Sequence, residues 1–179
     1  MTVENKHTKH NKIARRVSGT YGATEIVFVG GTCTKVQDVS RSIITELSKD
    51  YAVSYIDADH GSFDNPEKGD FLEQGGSMFM SDKQESIQLV RPPLSNSFDA
   101  RLVFNECDLG LVNGNHFQGE AQIVMLDSVK LKSLEKRVAQ LTNVIAIIKV
   151  EDLAIPDFLL KAVPNINELP VLWYTDTYE

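Results

Sequence analysis

Three short segments carry the side chains that could do chemistry, and each follows an apolar run. They hold Gly30, Gly31, Thr32, Thr34 and Lys35, then Asp57, Asp59 and His60, then Asn113, Asn115 and His116. A glycine turn followed by a lysine suits phosphate binding, because backbone N–H groups and an ammonium group attract anions. Carboxylates beside a histidine suit a hard metal ion or a polarised water. Amide and imidazole groups suit a polar ligand and proton transfer.

The glycine segment departs from the standard phosphate-binding loop, G-x-x-x-x-G-K-[ST]. With Lys35 at the lysine position, the two glycine positions fall on Val29 and Thr34, and the magnesium-ligand position falls on Val36. Valine cannot bind magnesium, and a threonine limits close approach of the backbone to a phosphate. The helix N-terminus after the turn still offers N–H groups to an anion. The segment is therefore either a weak anion site or a turn that only packs.

The other two segments also allow two interpretations. Asp57 and Asp59 face one side of an extended chain, so with His60 they could bind a metal ion, with Asp59 as the metal position. Alternatively, Asp57 satisfies backbone groups at a strand end and the rest is solvated. The segment from Asn113 to His116 is either part of a ligand site or a solvated turn. Neither segment shows zinc-ligand spacing or a nucleophile with its base and orienting group.

The elements that must position these segments alternate between strands and helices. Apolar runs predict strands over residues 25–30, 51–57, 86–90, 108–114, 122–127, 144–150 and 169–174. Helical spacing predicts helices over residues 36–47, 97–107, 128–143 and 155–163, and residues 60–80 are predicted to be a loop with a short helix. This alternation predicts a three-layer α/β fold, with a mostly parallel sheet and helices on both faces, of Rossmann-like topology. Ligands bind such sheets beyond the carboxyl ends of the strands, where the three segments fall.

Composition limits the class of protein. The chain of 179 residues has 42% hydrophobic and 24% charged residues, as expected for one globular domain. Its net charge of -7 argues against nucleic acid as a partner. Residues 1–24 are polar and basic and are predicted to be an arm outside the core, with residues 25–179 as the single domain. Since no secretory signal or membrane-length apolar run is present, we expect a cytoplasmic protein that does not contact a membrane. The two cysteines, Cys33 and Cys107, are expected to be small, partly buried residues.

The order of these motifs resembles that of the MobB family. The chain carries "NPEKGDFLEQGGSM" and then "CDLGLVNGNHF", where the family has a P-G-K-D-S stretch, small residues and a D-L-V-L-V-E-G strand. It is even more similar to the amino-terminal domain of bacterial molybdenum cofactor guanylyltransferase fusions. The segments that carry this second resemblance are "KHTKH", "GGTC", "YIDADH", "GGSMFMSDK", "VNGNHF" and "QIVMLD". The resemblance covers most of the chain and implies a degenerate P-loop NTPase-like domain. The nucleotidyltransferase loop of the fusions does not occur in this sequence.

The resemblance implies an accessory role in molybdopterin guanine dinucleotide biosynthesis. The implied ligand is a guanine nucleotide such as GTP, or a molybdopterin, and the implied partner is a guanylyltransferase domain or protein. A homodimer is also implied. Because Val36 and Asn113 replace the family's magnesium-ligand hydroxyl and its glutamate, conventional NTP hydrolysis is not expected, and magnesium stays an open question. Two alternatives remain: a phosphohydrolase or kinase with an altered loop, in which His116 is the base, and a structural oligomerisation domain.

Overall fold

A parallel sheet of six strands forms the centre of the protein. The computed structural model describes residue 21 and residues 23–58, 78–83, 86–91 and 97–175. The strands are β1 Thr24–Val29, β2 Val53–Ile56, β3 Phe79–Lys83, β4 Ser86–Val90, β5 Leu109–Asn113, β6 Ala121–Leu126, β7 Val144–Lys149 and β8 Val171–Trp173. The sheet order is β2-β5-β1-β6-β7-β8, and each neighbouring pair is parallel. Strands β3 and β4 form a separate antiparallel hairpin.

Helices cover both faces of this sheet. The α-helices of the described ranges are α1 Cys33–Leu47, α2 Ser97–Val103, α3 Leu131–Glu135 and α4 Asp157–Ala162, with 3₁₀ helices at Val138–Gln140 and Ile166–Glu168. On one face α1 packs on the sheet through Val36, Val39, Phe28, Leu111 and Met125. On the other face the remaining α-helices pack through Ala100, Leu134, Leu159, Val27 and Val124. Because side chains alternate between the two faces, burial on both faces explains the continuous apolar strands. The predicted three-layer α/β fold is confirmed.

The predicted amphipathic helix over residues 128–143 is wrong in extent. The α-helix ends at Glu135, and a 3₁₀ helix follows from Val138. The predicted apolar stripe does face the core, since Leu134 is fully buried and Leu141 is 8% exposed. The chain breaks its helical course at Arg137, whose guanidinium group is buried and bonded to the turn after β5. Periodicity predicted the buried face correctly but could not reveal this buried charge.

The loop predicted over residues 60–80 is also only partly correct. Residues 59–77 lie outside the described ranges, but β3 begins at Phe79 and pairs with β4. The hairpin places four large apolar side chains on one face, since Met80 lies opposite Leu89 and side chains two apart share a face. All four are more than half exposed: Met78, Met80, Ile87 and Leu89.

Tyr21 shows that the basic arm does not extend unchanged to residue 24. Tyr21 is 3% exposed, and its ring meets those of Phe104 and Phe117 edge to face. Its backbone N–H donates to the buried Glu25 carboxylate. Residues 1–20 lie outside the described ranges, so the arm itself stays a prediction. No helix in the described part of the chain has the length and hydropathy needed to cross a lipid bilayer.

Candidate functional site

The loop between β1 and α1 contains only Gly30, Gly31 and Thr32. Thr32 is the N-cap of α1, and its side-chain oxygen accepts a hydrogen bond from the Lys35 N–H at 3.4 Å. Gly30 has a φ of 99°, and a Cβ there would lie 2.6 Å from the carbonyl oxygen of Met125. Only glycine fits this turn without strain, because the conformation and the contact both exclude a side chain. The glycine therefore has a packing reason that requires no ligand.

This loop is too short to wrap a phosphate in the standard way. Counted from Gly30, the standard pattern would place its second glycine at Lys35 and its lysine at Val36. The side chain of Val36 is fully buried in the core beneath α1. Neither the glycine that admits a phosphate nor the hydroxyl that binds magnesium is present.

The carboxylate of Asp127, directly after β6, lies at this loop where a bound anion would otherwise pair with Lys35. Its carboxylate accepts hydrogen bonds from the Lys35 ammonium at 3.0 Å, from the Thr32 N–H at 3.3 Å and from the Val129 N–H at 3.2 Å. Asp127 is fully buried, whereas the Lys35 side chain is 28% exposed. The lysine and the loop N–H that could hold a phosphate are thus already paired with a carboxylate of the chain itself. Sequence reasoning missed Asp127, although it ends an apolar strand as Asp57 does.

Asp57, directly after β2, gathers a second set of donors. Its carboxylate accepts from the Tyr55 hydroxyl at 2.8 Å, the Asn113 amide at 2.9 Å, the Ala58 N–H at 2.7 Å and the Gln37 amide at 3.3 Å. Adjacent pairing of β2 with β5 brings these strand ends together. The predicted neighbourhood of Asp57 and Asn113 is present in the structure.

These contacts shift two pKa values in opposite directions. Burial raises the pKa of Asp57, but the hydrogen bonds from Tyr55, Asn113, Ala58 and Gln37 outweigh burial and hold that pKa below its usual value. Burial and the Asp57 carboxylate raise the pKa of the Tyr55 phenol well above its usual range. At neutral pH Asp57 is therefore an ionised carboxylate that accepts a hydrogen bond from the protonated Tyr55 hydroxyl.

The turn after β5 is held rigidly. The Asn113 side-chain oxygen accepts from the Asn115 N–H at 3.0 Å, and the Asn115 amide donates to the Gly31 carbonyl at 2.9 Å. A Cβ on Gly114 would lie 2.7 Å from the Phe28 carbonyl oxygen, so the turn packs directly on β1. The Arg137 guanidinium donates to the Gly114 carbonyl at 3.1 Å and to the Asn115 side-chain oxygen at 3.0 Å. This arginine was also missed by sequence reasoning.

His116 extends from this turn to the start of α1. Its Nε2 atom lies 3.6 Å from the Cys33 Sγ atom and 3.8 Å from an Asp57 oxygen. His116 is the one histidine in the described part of the chain, and its side chain is 16% exposed. Cys33, expected only to pack, is therefore in contact with a group that can take its proton.

An open cavity of about 750 Å³ lies beside these residues. It is lined by Cys33, Asn115, His116, Lys130, Ser133, Lys136, Arg137 and Gln140. No carboxylate is among these lining residues, and no ion pair is formed by Lys130 or Lys136 with another described residue. The cavity is therefore suited to a negatively charged ligand.

The predicted site residues fall into three groups. The structure brings together Gly31, Lys35, Asp57, Asn113, Asn115 and His116 along the carboxyl edge of the sheet, with Gly30 and Thr32 in the loop. Thr34 lies on the exposed side of α1. Asp59, the predicted metal position, and His60 lie outside the described residues. Among the described residues, no group of three His, Cys, Asp or Glu is arranged to hold a metal ion.

The parallel sheet with its strand-to-helix loop places the protein in the P-loop NTPase-like class of α/β folds. Its fold is that of MobB. One similar solved structure is molybdopterin-guanine biosynthesis protein B, with a TM-score of 0.56 and 10% identity over 86% of this chain and 91% of that one. A Bacillus subtilis MobB structure has a TM-score of 0.57 and 16% identity, covering 87% and 92% of the two chains. A second Bacillus subtilis MobB structure has a TM-score of 0.51, 18% identity and coverages of 86% and 89%. No protein-family model and no curated protein matches the chain.

Proposed function

We propose that this protein is an accessory domain of molybdenum cofactor biosynthesis that binds a phosphate-bearing nucleotide or pterin without conventional NTP hydrolysis. The fold supports the pathway, because structures with this fold include a molybdopterin-guanine biosynthesis protein. The sequence resemblance to domains fused to guanylyltransferases points in the same direction. The proposed ligand is GTP or a molybdopterin.

The single observation that carries the proposal is the pairing of Lys35 with Asp127. A triphosphate bound at the β1–α1 loop would meet the buried Asp127 carboxylate where its own negative charge should lie. The neighbouring cavity offers instead the ammonium groups of Lys130 and Lys136 without an opposing carboxylate among its lining residues. We therefore place the phosphate of the ligand in this cavity, with Asn115 and His116 at its wall.

Calorimetric titration tests this assignment. GTP, ATP and a molybdopterin are each titrated with and without magnesium, and the double variant Lys130→Gln/Lys136→Gln is compared with Lys132→Gln. Lys132 lies in the same helix but does not line the cavity. The double variant should weaken binding about tenfold or more, because each lysine contributes a charge-assisted contact to phosphate. Lys132→Gln should leave affinity unchanged. Equal affinity in the unaltered protein, the double variant and Lys132→Gln would refute the assignment of the phosphate site to the cavity.

Catalysis separates this proposal from the altered phosphohydrolase or kinase. That alternative requires nucleotide turnover that depends on Lys35 and Asp59. The purified protein is assayed for nucleotide turnover with magnesium. Turnover that Lys35→Ala and Asp59→Asn abolish would show that the protein is an enzyme and not an accessory binding domain. We expect no turnover above the level of a magnesium blank.

The exposed hairpin favours one further candidate function, oligomerisation. Four apolar side chains on one face of a two-stranded hairpin are more than a monomer usually exposes together. The proposed homodimer and the guanylyltransferase partner are both tested by sedimentation of the protein alone and after addition of that enzyme. Met80→Lys together with Leu89→Lys should abolish whichever association uses this face. The same association in the variant excludes the hairpin.

A further inference from the structure

Cys33 is placed for reactivity, whereas its sequence context indicated only packing. It is the first residue of the 15-residue helix α1, so it lies beside backbone N–H groups that have no partner within the helix. The Nε2 atom of His116 lies 3.6 Å from its Sγ atom. Since both residues also line the cavity, the sulfur can be reached by a small molecule that enters there.

The neighbours of this pair lie close to both side chains. An Asp57 oxygen lies 3.8 Å from the same Nε2 atom. The Asn115 side-chain nitrogen, which donates to the Gly31 carbonyl, also lies within donor distance of the Cys33 sulfur, at 3.9 Å. A cysteine beside an imidazole, with further groups that hold both partners, is the arrangement of an activated nucleophile.

The cavity adds selectivity by charge. Lys130 and Lys136 line it together with Cys33, and no carboxylate is among the lining residues that the structure describes. An anion is therefore attracted toward the sulfur, while a neutral molecule of similar size gains nothing from the lysines.

We propose that Cys33 and His116 form a reactive thiol–imidazole pair that undergoes thiol–disulfide exchange with anionic, low-molecular-weight disulfides admitted by this cavity. His116 takes the thiol proton, and the Cys33 thiolate attacks one sulfur of the disulfide. The original S–S bond breaks as the bond to Cys33 forms. The departing thiolate receives the proton from His116. Cys33 is oxidised and the released half of the disulfide is reduced, so no further oxidant is needed.

Cys107 provides an internal comparison. Both cysteines are free thiols of intermediate exposure. Cys107 follows α2 and does not line the cavity, and the one histidine of the described residues contacts Cys33 instead. A difference in their reaction rates therefore reports the surroundings of Cys33 and not thiol chemistry in general.

The test measures the rate at which each thiol of the folded protein reacts with two disulfide reagents at neutral pH. Dithiobis(nitrobenzoate) carries two negative charges and dithiodipyridine is neutral. The variants Cys33→Ser and Cys107→Ser assign the kinetic phases. Cys33 should react about tenfold faster than Cys107, because His116 is placed to take its proton during the attack. His116→Gln should slow Cys33 by a similar factor with both reagents.

Charge selection has its own readout. Lys130→Gln/Lys136→Gln should slow the anionic reagent severalfold and leave the neutral reagent unchanged, with Lys132→Gln as the control. Equal rates for Cys33 and Cys107 in the unaltered protein would overturn the proposal, and so would a rate of Cys33 that does not depend on His116. Circular dichroism establishes that each variant is folded. The reagents contain no nucleotide or pterin. The thiol-reactivity result therefore does not depend on whether the ligand of the proposed function binds.

Discussion

Two carboxylates at the same edge of the sheet are used in different ways. Asp127 is fully buried and pairs with Lys35 and with the backbone N–H groups of Thr32 and Val129. Asp57 is 18% exposed, and its hydrogen-bond donors are neutral groups, with an imidazole beside them. We call these two regions the loop corner and the histidine corner. In the loop corner the Asp127 carboxylate is neutralised by Lys35. In the histidine corner His116 lines the cationic cavity and contacts the Cys33 thiol. Similar residues at equivalent strand ends thus complete an ion pair in one place and lie beside a thiol–imidazole pair in the other.

Removal of Asp127 should have the largest effect on stability. Asp127→Ala leaves Lys35 and two N–H groups without their acceptor and should cost about 4 kcal/mol of unfolding free energy. Urea titration measures this loss, and Asp108→Ala is the control, because Asp108 is an exposed carboxylate that accepts a single N–H. If the carboxylate stands in for an anion, inorganic phosphate should stabilise Asp127→Ala more than the unaltered protein, because the cavity lysines are present in both proteins but the loop is open to an anion only in the variant. Absence of that difference would contradict the comparison between the two corners.

Gly30→Ala should have the next largest effect, about 3 kcal/mol. The substitution meets both an unfavourable φ and the Met125 carbonyl oxygen. Gly31→Ala is the matched control, since its Cβ would meet the flexible Met125 side chain and not backbone. Thermal unfolding of the two variants should therefore show a much smaller loss for Gly31→Ala. Equal losses would indicate that the loop corner does not depend on the conformation of Gly30.

Arg137→Lys should destabilise the histidine corner by about 2 kcal/mol, because one ammonium cannot replace the guanidinium contacts to Gly114 and Asn115. The same variant should slow Cys33 modestly, since Asn115 would lose its fixed position. Lys132→Arg, a change of similar size on the surface of α3, serves as the control. Full stability in Arg137→Lys would show that the turn after β5 holds itself without the arginine.

The smallest expected effect is a dependence of stability on pH. The folded state lowers the pKa of Asp57, so its ionised form stabilises the fold above the pKa of the unfolded chain. That contribution should be lost as the pH falls from about 4 through the lower folded value. Asp57→Asn should flatten this part of the pH profile and cost about 1 kcal/mol at neutral pH. An unchanged profile in the variant would place the acid sensitivity elsewhere.

Sequence reasoning reached the sheet more fully than the site. Continuous apolar runs, such as that of β7, and the glycine turn before α1 are visible in short stretches of sequence. They therefore predict the parallel strands and the sheet edge at which the site residues lie. Asp57, Asn113 and His116 were correctly expected to be neighbours for the same reason. Asp127 was missed because its role depends on a lysine far away in sequence, and a strand-end aspartate has no local mark that distinguishes it.

Arg137 and Cys33 illustrate the same limit. A charged residue within an amphipathic pattern indicates a solvated face, yet Arg137 is buried because the carbonyl of Gly114 needs a donor there. The spacing that predicted a helix over residues 128–143 could not contain that tertiary contact. Cys33 gained its imidazole only when β5 was placed beside β1.

The pairing of β1 has a consequence for how the chain acquires its structure. This strand lies near the start of the described chain, yet both its neighbours come much later, since Thr24 pairs with Leu109 and Ile26 pairs with Ala121. During synthesis, β1 therefore cannot pair with a neighbour until the ribosome has released β5 or β6. Until then the apolar segment of β1 is exposed to other chains. Such long-range pairing slows folding and prolongs the exposure of this segment, so a chaperone should increase the yield of native protein.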